Sequence, residues 1–165
     1  MIAIRETVPA REAASAATAQ LVVFSLAGES YALPVANVRE VLRLQPITSM
    51  PAAPEFVEGI ISLRGRVIVV VDLRRRFGMP AAERTAAARI IVVRAGRTFV
   101  GLIVDAVQEV VTVPATVIQP VPETTTRAGS RRFLSGVARA GDGLIVIVNL
   151  EELFSAEEAR QFDGG

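Results

Sequence analysis

The sequence has no histidine, cysteine, tryptophan or lysine, and its 18 basic residues are all arginine. Each absence removes a class of chemistry. Without His or Cys there is no Ser-His-Asp or Cys-His catalytic set, no zinc site of the usual ligands and no disulfide. Without Lys there is no Walker-type phosphate loop and no Schiff base. Aromatics make up only 5% of the 165 residues, and no run of about 18 uncharged apolar residues is present to span a membrane. Arginines exceed the 17 acidic residues by one, so net charge gives no global drive toward nucleic acid or an anionic membrane. The first twenty residues mix Arg5, Glu6, Arg11 and Glu12 with alanines and lack the apolar core of a secretion signal. What the chain has instead is aliphatic bulk: 51% of it is hydrophobic, and valine dominates. A β-branched side chain fits a pleated, half-buried surface, so the composition favours strands.

Residues 1–19 carry no apolar period and read as a mobile tail. From Leu21 the pattern changes. Leu21–Leu26, the turn Ala27-Gly28-Glu29 and Ser30–Leu33 spell strand, tight turn, strand. Pro34 suits the first turn of a short helix, Val35–Glu40, with Asn37 and Arg39 on its wet side, and Pro46, Pro51 and Pro54 punctuate a loop. Phe56–Leu63 and Val67–Val71 read as strands around an Arg64-Gly65-Arg66 turn, with Asp72 as N-cap of a short helix, Leu73–Phe77. Residues 81–88 read as a connector.

The second half then repeats the first. Gly28 and Tyr31 match Gly96 and Phe99 at an offset of 68, and Glu40-Val41 matches Glu109-Val110 at 69. Gly59-Ile60 matches Gly136-Val137 at 77, as does Val67–Leu73 with Leu144–Leu150. This is a duplicated unit of roughly 65–75 residues. Each copy holds about five short strands, which suits a small closed barrel; closure also removes the edges that Val-rich strands would offer for aggregation. The fold expected is all-β with short helices: two small five-stranded barrels side by side, near residues 20–83 and 84–150, with possible strand exchange at the boundary. A terminal amphipathic helix is expected near 150–162.

Little in the chain looks catalytic. Paired strands ending in Asp72 and Asn149 evoke an aspartic-protease dyad, but Leu73-Arg74 follows where Ser/Thr-Gly is needed, and the second half offers Asn. Both residues, and Asp105, read as caps. Arg74-Arg75-Arg76 reads as a solvated helix face, with an acidic partner as the alternative. Nucleic acid would want aromatics beside such cations, and Phe77 alone is no stacking platform. Glu40 and Arg64 are lone charges flanking apolar strands.

Taken in order, Phe24-Ser25-Leu26, Tyr31-Ala32-Leu33, Val38-Arg39-Glu40-Val41, Gly59–Gly65, Val67–Leu73, Val100–Asp105, Leu134-Ser135-Gly136 and Leu144–Asn149 resemble the CheW family of chemotaxis coupling proteins. The resemblance spans about residues 20–158, leaving 159–165 as a tail. Its most specific element is Leu63-Arg64-Gly65 followed by Val-Ile and Val-Asp-Leu. Ser62 stands where the family often has Asn, and Val69 or Val70 where it often has Pro. With too little chain after the match for a receiver or ATP-binding domain, the stand-alone form is expected.

The resemblance implies two SH3-like barrels with a hydrophobic core between them, and no enzyme activity, cofactor or metal. It implies a cytoplasmic adaptor, recruited to membrane-associated arrays, that joins the tips of methyl-accepting chemoreceptors to the regulatory domain of the histidine kinase CheA. An adaptor of a non-flagellar chemosensory pathway is the alternative. A small-ligand-binding double barrel would instead need a cavity of about 300 Å³ or more with convergent polar groups. Neither nucleic acid nor membrane insertion is expected. The matching positions imply that Val38 and Val41, with repeat mates Val107 and Val110, face the kinase, and that Phe99 and Val100 wall a receptor groove. They also imply a Glu40–Arg64 ion pair positioning the binding surface, with Gly65 permitting the turn's backbone angle or a close approach.

Overall fold

The computed structural model describes residues 17–122 and 131–154. Ten strands follow one another: β1 (Thr18–Leu26), β2 (Glu29–Pro34), β3 (Val38–Arg43), β4 (Val57–Leu63), β5 (Arg66–Asp72), β6 (Arg89–Ala95), β7 (Thr98–Val104), β8 (Ala106–Pro114), β9 (Leu134–Ala140) and β10 (Gly143–Val148). Two one-turn helices, α1 (Leu73–Arg76) and α2 (Leu150–Leu153), follow β5 and β10. They start as the sequence predicts: Asp72 accepts from the Arg74 amide at 3.0 Å, and Asn149 from the Glu151 amide at 3.2 Å. Residues 18 and 19, expected in the tail, already belong to β1. The rest of that tail, the expected helix beyond Phe154 and the tail 159–165 lie outside the described residues.

The hairpin turns follow from their residues. Ala27-Gly28 and Arg64-Gly65 have φ of 52°/83° and 52°/81°, the paired positive values of a type I′ turn, whose twist matches that of the strands it joins.

The strands form two five-stranded sheets, ordered β8-β1-β2-β10-β9 and β3-β6-β7-β5-β4. This corrects the division into barrels at 20–83 and 84–150. The exchange is not a boundary detail: each repeat gives its first hairpin to the other's barrel, so β1-β2 joins β8–β10 and β6-β7 joins β3–β5. One barrel is therefore contiguous, β3 to β7, and the other is assembled from both ends of the chain. The chain changes barrels at two short places, the 3-10 turn Val35–Asn37 and the single residue Asp105; the helix expected over Val35–Glu40 ends at Asn37, because Val38 and Glu40 pair with Val93 and Val92 of β6 as strand. Parallel pairing of β5 with β7 and of β2 with β10 knits the exchanged hairpins in.

Both barrels close the same way. The segment after β3 pairs Thr48 with Ile60, with backbone bonds of 2.9 and 2.8 Å; the segment after β8 pairs Gln119 with Val137 at 2.9 and 2.8 Å. The repeated Gly59 and Gly136 sit at these closures. A Cβ on Gly59 would lie 2.1 Å from the Thr48 carbonyl oxygen, and one on Gly136 would lie 2.7 Å from Ile118 Cγ2 and 3.0 Å from the Gln119 oxygen. The two glycines recur because a strand passes too close for a side chain.

Three apolar clusters result. Leu21, Val23, Val111, Ile145 and Ile147 fill one barrel; Ile61, Ile68, Val70, Ile90, Val92 and Ile103 fill the other. A larger core lies between the barrels and takes Phe24, Leu26 and Leu33 from one, and Ile91, Val93, Val100, Leu102 and Val104 from the other. Strands β6 and β7 thus bury both faces, the barrel interior on one side and the central core on the other. Leu150 and Leu153 of α2 are buried in that central core.

Candidate interaction surface

At one end of the contiguous barrel, the exposed edge of β3 meets the β4–β5 turn and the neighbouring ends of β6 and β7. A bulge in β3 between Val38 and Glu40 inserts Arg39 as an extra residue. Glu40 follows it, and Arg64 stands in the turn. The expected pair is present and bidentate: Arg64 Nη2 donates to Glu40 Oε1 at 3.0 Å, and Nη1 donates to Oε2. Hydrogen bonding to Arg64 holds the Glu40 carboxyl below its ordinary pKa, and Glu40 raises that of Arg64. The Arg64 side chain is 72% exposed, so water screens the pair strongly. Its effect is geometric: a planar fork fixes the turn against β3. Gly65 has open space around a would-be Cβ, so its positive φ of 81°, rather than a close approach, requires glycine.

The other candidate residues separate by burial. Val41 and Val110, repeat mates on the edge strands β3 and β8, are 41% and 52% exposed. Val38 and Val107 are half-buried and pack against the central core. Val100 is wholly buried within that core, which corrects its reading as a groove wall: no partner reaches it without unfolding the strand. Phe99, its neighbour on the opposite face of β7, is half-buried at the mouth of the barrel interior.

Residues 20–158 match the CheW-like domain family model. This chain belongs to the CheW family. It is 37% identical over 140 residues to the probable chemotaxis protein CheW of Rhizobium etli, covering 85% of this chain and 90% of that relative. It is 38% identical over 139 residues to the chemotaxis protein CheW of Rhizobium meliloti, covering 84% and 89%. The crystal structure of scaffolding protein TtCheW from Thermoanaerobacter tengcongensis superposes with a TM-score of 0.78 at 42% identity, over 85% of this chain and 90% of that one. The double SH3-like architecture of the CheW family is therefore the fold of this chain.

In this CheW-family chain the Arg74–Arg76 run is not a solvated face. Arg74 donates from Nε and Nη2 to Asp105 at 2.9 and 2.6 Å. Asp105 also accepts from the Ala27 amide of the other barrel at 2.8 Å, so it ties the barrels together rather than capping a helix. Arg75 lies 3.8 Å from Asp72, and Arg76 bonds to the Leu153 carbonyl. Arg84, in the segment read only as a connector, reaches Glu58 and Asp72 at 3.0 and 2.9 Å. Arg74 and Arg76 thus tie the two barrels to each other, and Arg75 and Arg84 tie segments within one barrel.

Proposed function

We propose that this chain is a non-enzymatic scaffold that couples the cytoplasmic tips of methyl-accepting chemoreceptors to the histidine kinase CheA in a chemosensory array. The observation that carries the reading is the continuous CheW-family match across the double barrel, with the Glu40–Arg64 pair intact on its surface. Val41 and Val110 present aliphatic surface on two edge strands and are the proposed kinase contacts. The surface around Glu40, Arg64, Gly65 and Phe99 is the proposed receptor side. Both barrel interiors are filled by aliphatic side chains, which disfavours a ligand held inside a barrel; the groove of about 510 Å³ beside Tyr31, Pro120 and Leu144 lies outside them. No described helix is long and apolar enough to cross a membrane, so recruitment to a membrane-associated array from the cytoplasm would run through the receptors. The test is a pull-down of the full chain against a receptor cytoplasmic fragment and against CheA, each separately. Capture of both supports the scaffold; capture of neither overturns it.

A further inference from the structure

Beside the Glu40–Arg64 pair, three more arginines converge on one ring. The guanidinium carbons of Arg39, Arg66 and Arg94 lie 5.6, 5.5 and 5.8 Å from the centroid of Phe99. They come from separate places: Arg39 from the β3 bulge, Arg66 from the start of β5, and Arg94 from β6, directly across from Phe99. All three are exposed, and none makes an ion pair among the described residues. With Arg64, four guanidiniums gather at this end of the barrel, where the carboxylate of Glu40 has both oxygens taken by Arg64. Arg39, Arg64 and Arg66 line a cleft of about 100 Å³, floored by Ile68, Val92 and Phe99, and Arg94 stands outside that lining, across from Phe99 on β6. Each cation gains from the face of the ring, yet the set is mutually repulsive and short of anions.

We propose that this cleft docks an acidic segment of a protein partner, with carboxylates bound by Arg39 and Arg66, Arg94 adding positive charge beside the ring, and an apolar side chain laid against Phe99. Guanidinium forks suit carboxylates because they offer paired donors in a plane. The ring supplies an apolar anchor that a purely ionic site lacks. Nucleic acid fits less well: one aromatic gives no succession of stacking platforms, and Glu40 would oppose a phosphate backbone. The cleft lies on the surface proposed above as the receptor side, so the inference deepens that reading by naming the chemistry of the segment bound; its probe contains neither receptor nor kinase, so its failure is distinguishable from failure of the coupling role.

The test uses the full chain and a fluorescein-labelled peptide of glutamates around one leucine, followed by anisotropy at low and moderate salt. Saturable binding is expected, weakening with salt and absent for the glutamine counterpart of the peptide. Arg39→Gln with Arg66→Gln should weaken it about tenfold, while the charge-matched pair Arg132→Gln with Arg139→Gln on the other barrel leaves it unchanged. Should the double variant fail to fold, Arg39→Gln alone must still cost about threefold. Lack of saturable binding up to about 1 mM peptide overturns the proposal. So does equal loss in both double variants, or tighter cleft-dependent binding of oligothymidine or anionic phospholipid vesicles than of the peptide.

Discussion

Arg76 of α1 donates from Nε to the backbone carbonyl of Leu153 in α2 at 2.7 Å, joining the helix after β5 of one barrel to the helix after β10 of the other. Its guanidinium lies 4.3 Å from the Phe56 ring centroid and 5.0 Å from that of Phe133. The planar group thus closes the aromatic end of the central core and satisfies a carbonyl at the end of α2. Arg76→Met keeps the apolar stem and loses the bond and the charge. It should cost about 2 kcal/mol, read as a fall in melting temperature of about 5 °C. Arg76→Lys should rescue little of this, because an ammonium cannot stack and donate in the same plane.

Asp105 makes the second tie between the barrels, and that tie depends on pH. Hydrogen bonding to Arg74 holds the Asp105 carboxyl below its ordinary value, helped by the Ala27 amide. A depressed folded-state pKa stabilises fully above the unfolded value of about 4 and is lost as pH falls through the lower folded value. Thermal melts should therefore lose stability below about pH 4, and Asp105→Asn should flatten part of that loss while lowering stability at neutral pH. An unchanged acid limb in Asp105→Asn would assign the pH dependence to other carboxylates.

The glycines give a ranked prediction. Gly59→Ala places a Cβ against a backbone oxygen that pairs across the barrel closure, so about 3 kcal/mol or more should be lost. Gly136→Ala meets the Ile118 Cγ2 methyl at 2.7 Å and the Gln119 backbone oxygen only at 3.0 Å, against 2.1 Å from the Thr48 oxygen at Gly59, and should cost less. Gly65→Ala meets open space and bears only the positive φ, about 1 kcal/mol. Chemical denaturation of the three variants checks the order, and a Gly65 variant as unstable as the Gly59 variant contradicts it.

The sequence showed the duplication because Gly59 and Gly136 recur where closure allows no side chain. It could not show the exchanged hairpins: β1-β2 and β6-β7 carry the same pattern whichever repeat they pair with, and only three-dimensional packing decides. Val100 was misread for a related reason. A strand buried on both faces, as in Phe99–Val104, has no polar alternation to tell the central core from a surface groove. Arg74–Arg76 reads as solvated because a charge run records neither the aspartate that links two distant strands nor the carbonyl of another helix. The arginines around Phe99 lie far apart in the chain, so nothing local signals their meeting.

Burial separates core from contact among the valines. Val100→Asp should abolish folding, since it buries a charge in the central core without a partner. Val41→Gln and Val110→Gln, at exposed edge positions, should change stability by less than about 0.5 kcal/mol. They should nonetheless weaken binding to CheA in a pull-down at equal protein concentration. Retained CheA capture by both variants removes these edges from the kinase surface.

The residue at position 64 sets turn preference against pairing. The first central position of a type I′ turn needs positive φ, which Asn, Asp and Gly adopt with least strain. Arg64 stands there with φ 52° and spends its side chain on Glu40. If the pair served stability, Arg64→Asn would be destabilising. The side chain is mostly exposed, so Arg64→Asn should instead leave the melting temperature unchanged or slightly raised, while receptor or kinase capture falls. Glu40→Arg and Arg64→Glu should each impair capture, and their combination should recover part of it. Recovery should stay incomplete, because the swap places a new cation on β3 beside Arg39 while the turn still has to accept positive φ. Strictly additive losses in that double-mutant cycle would mean that the two residues act separately and that the pair does not position the surface.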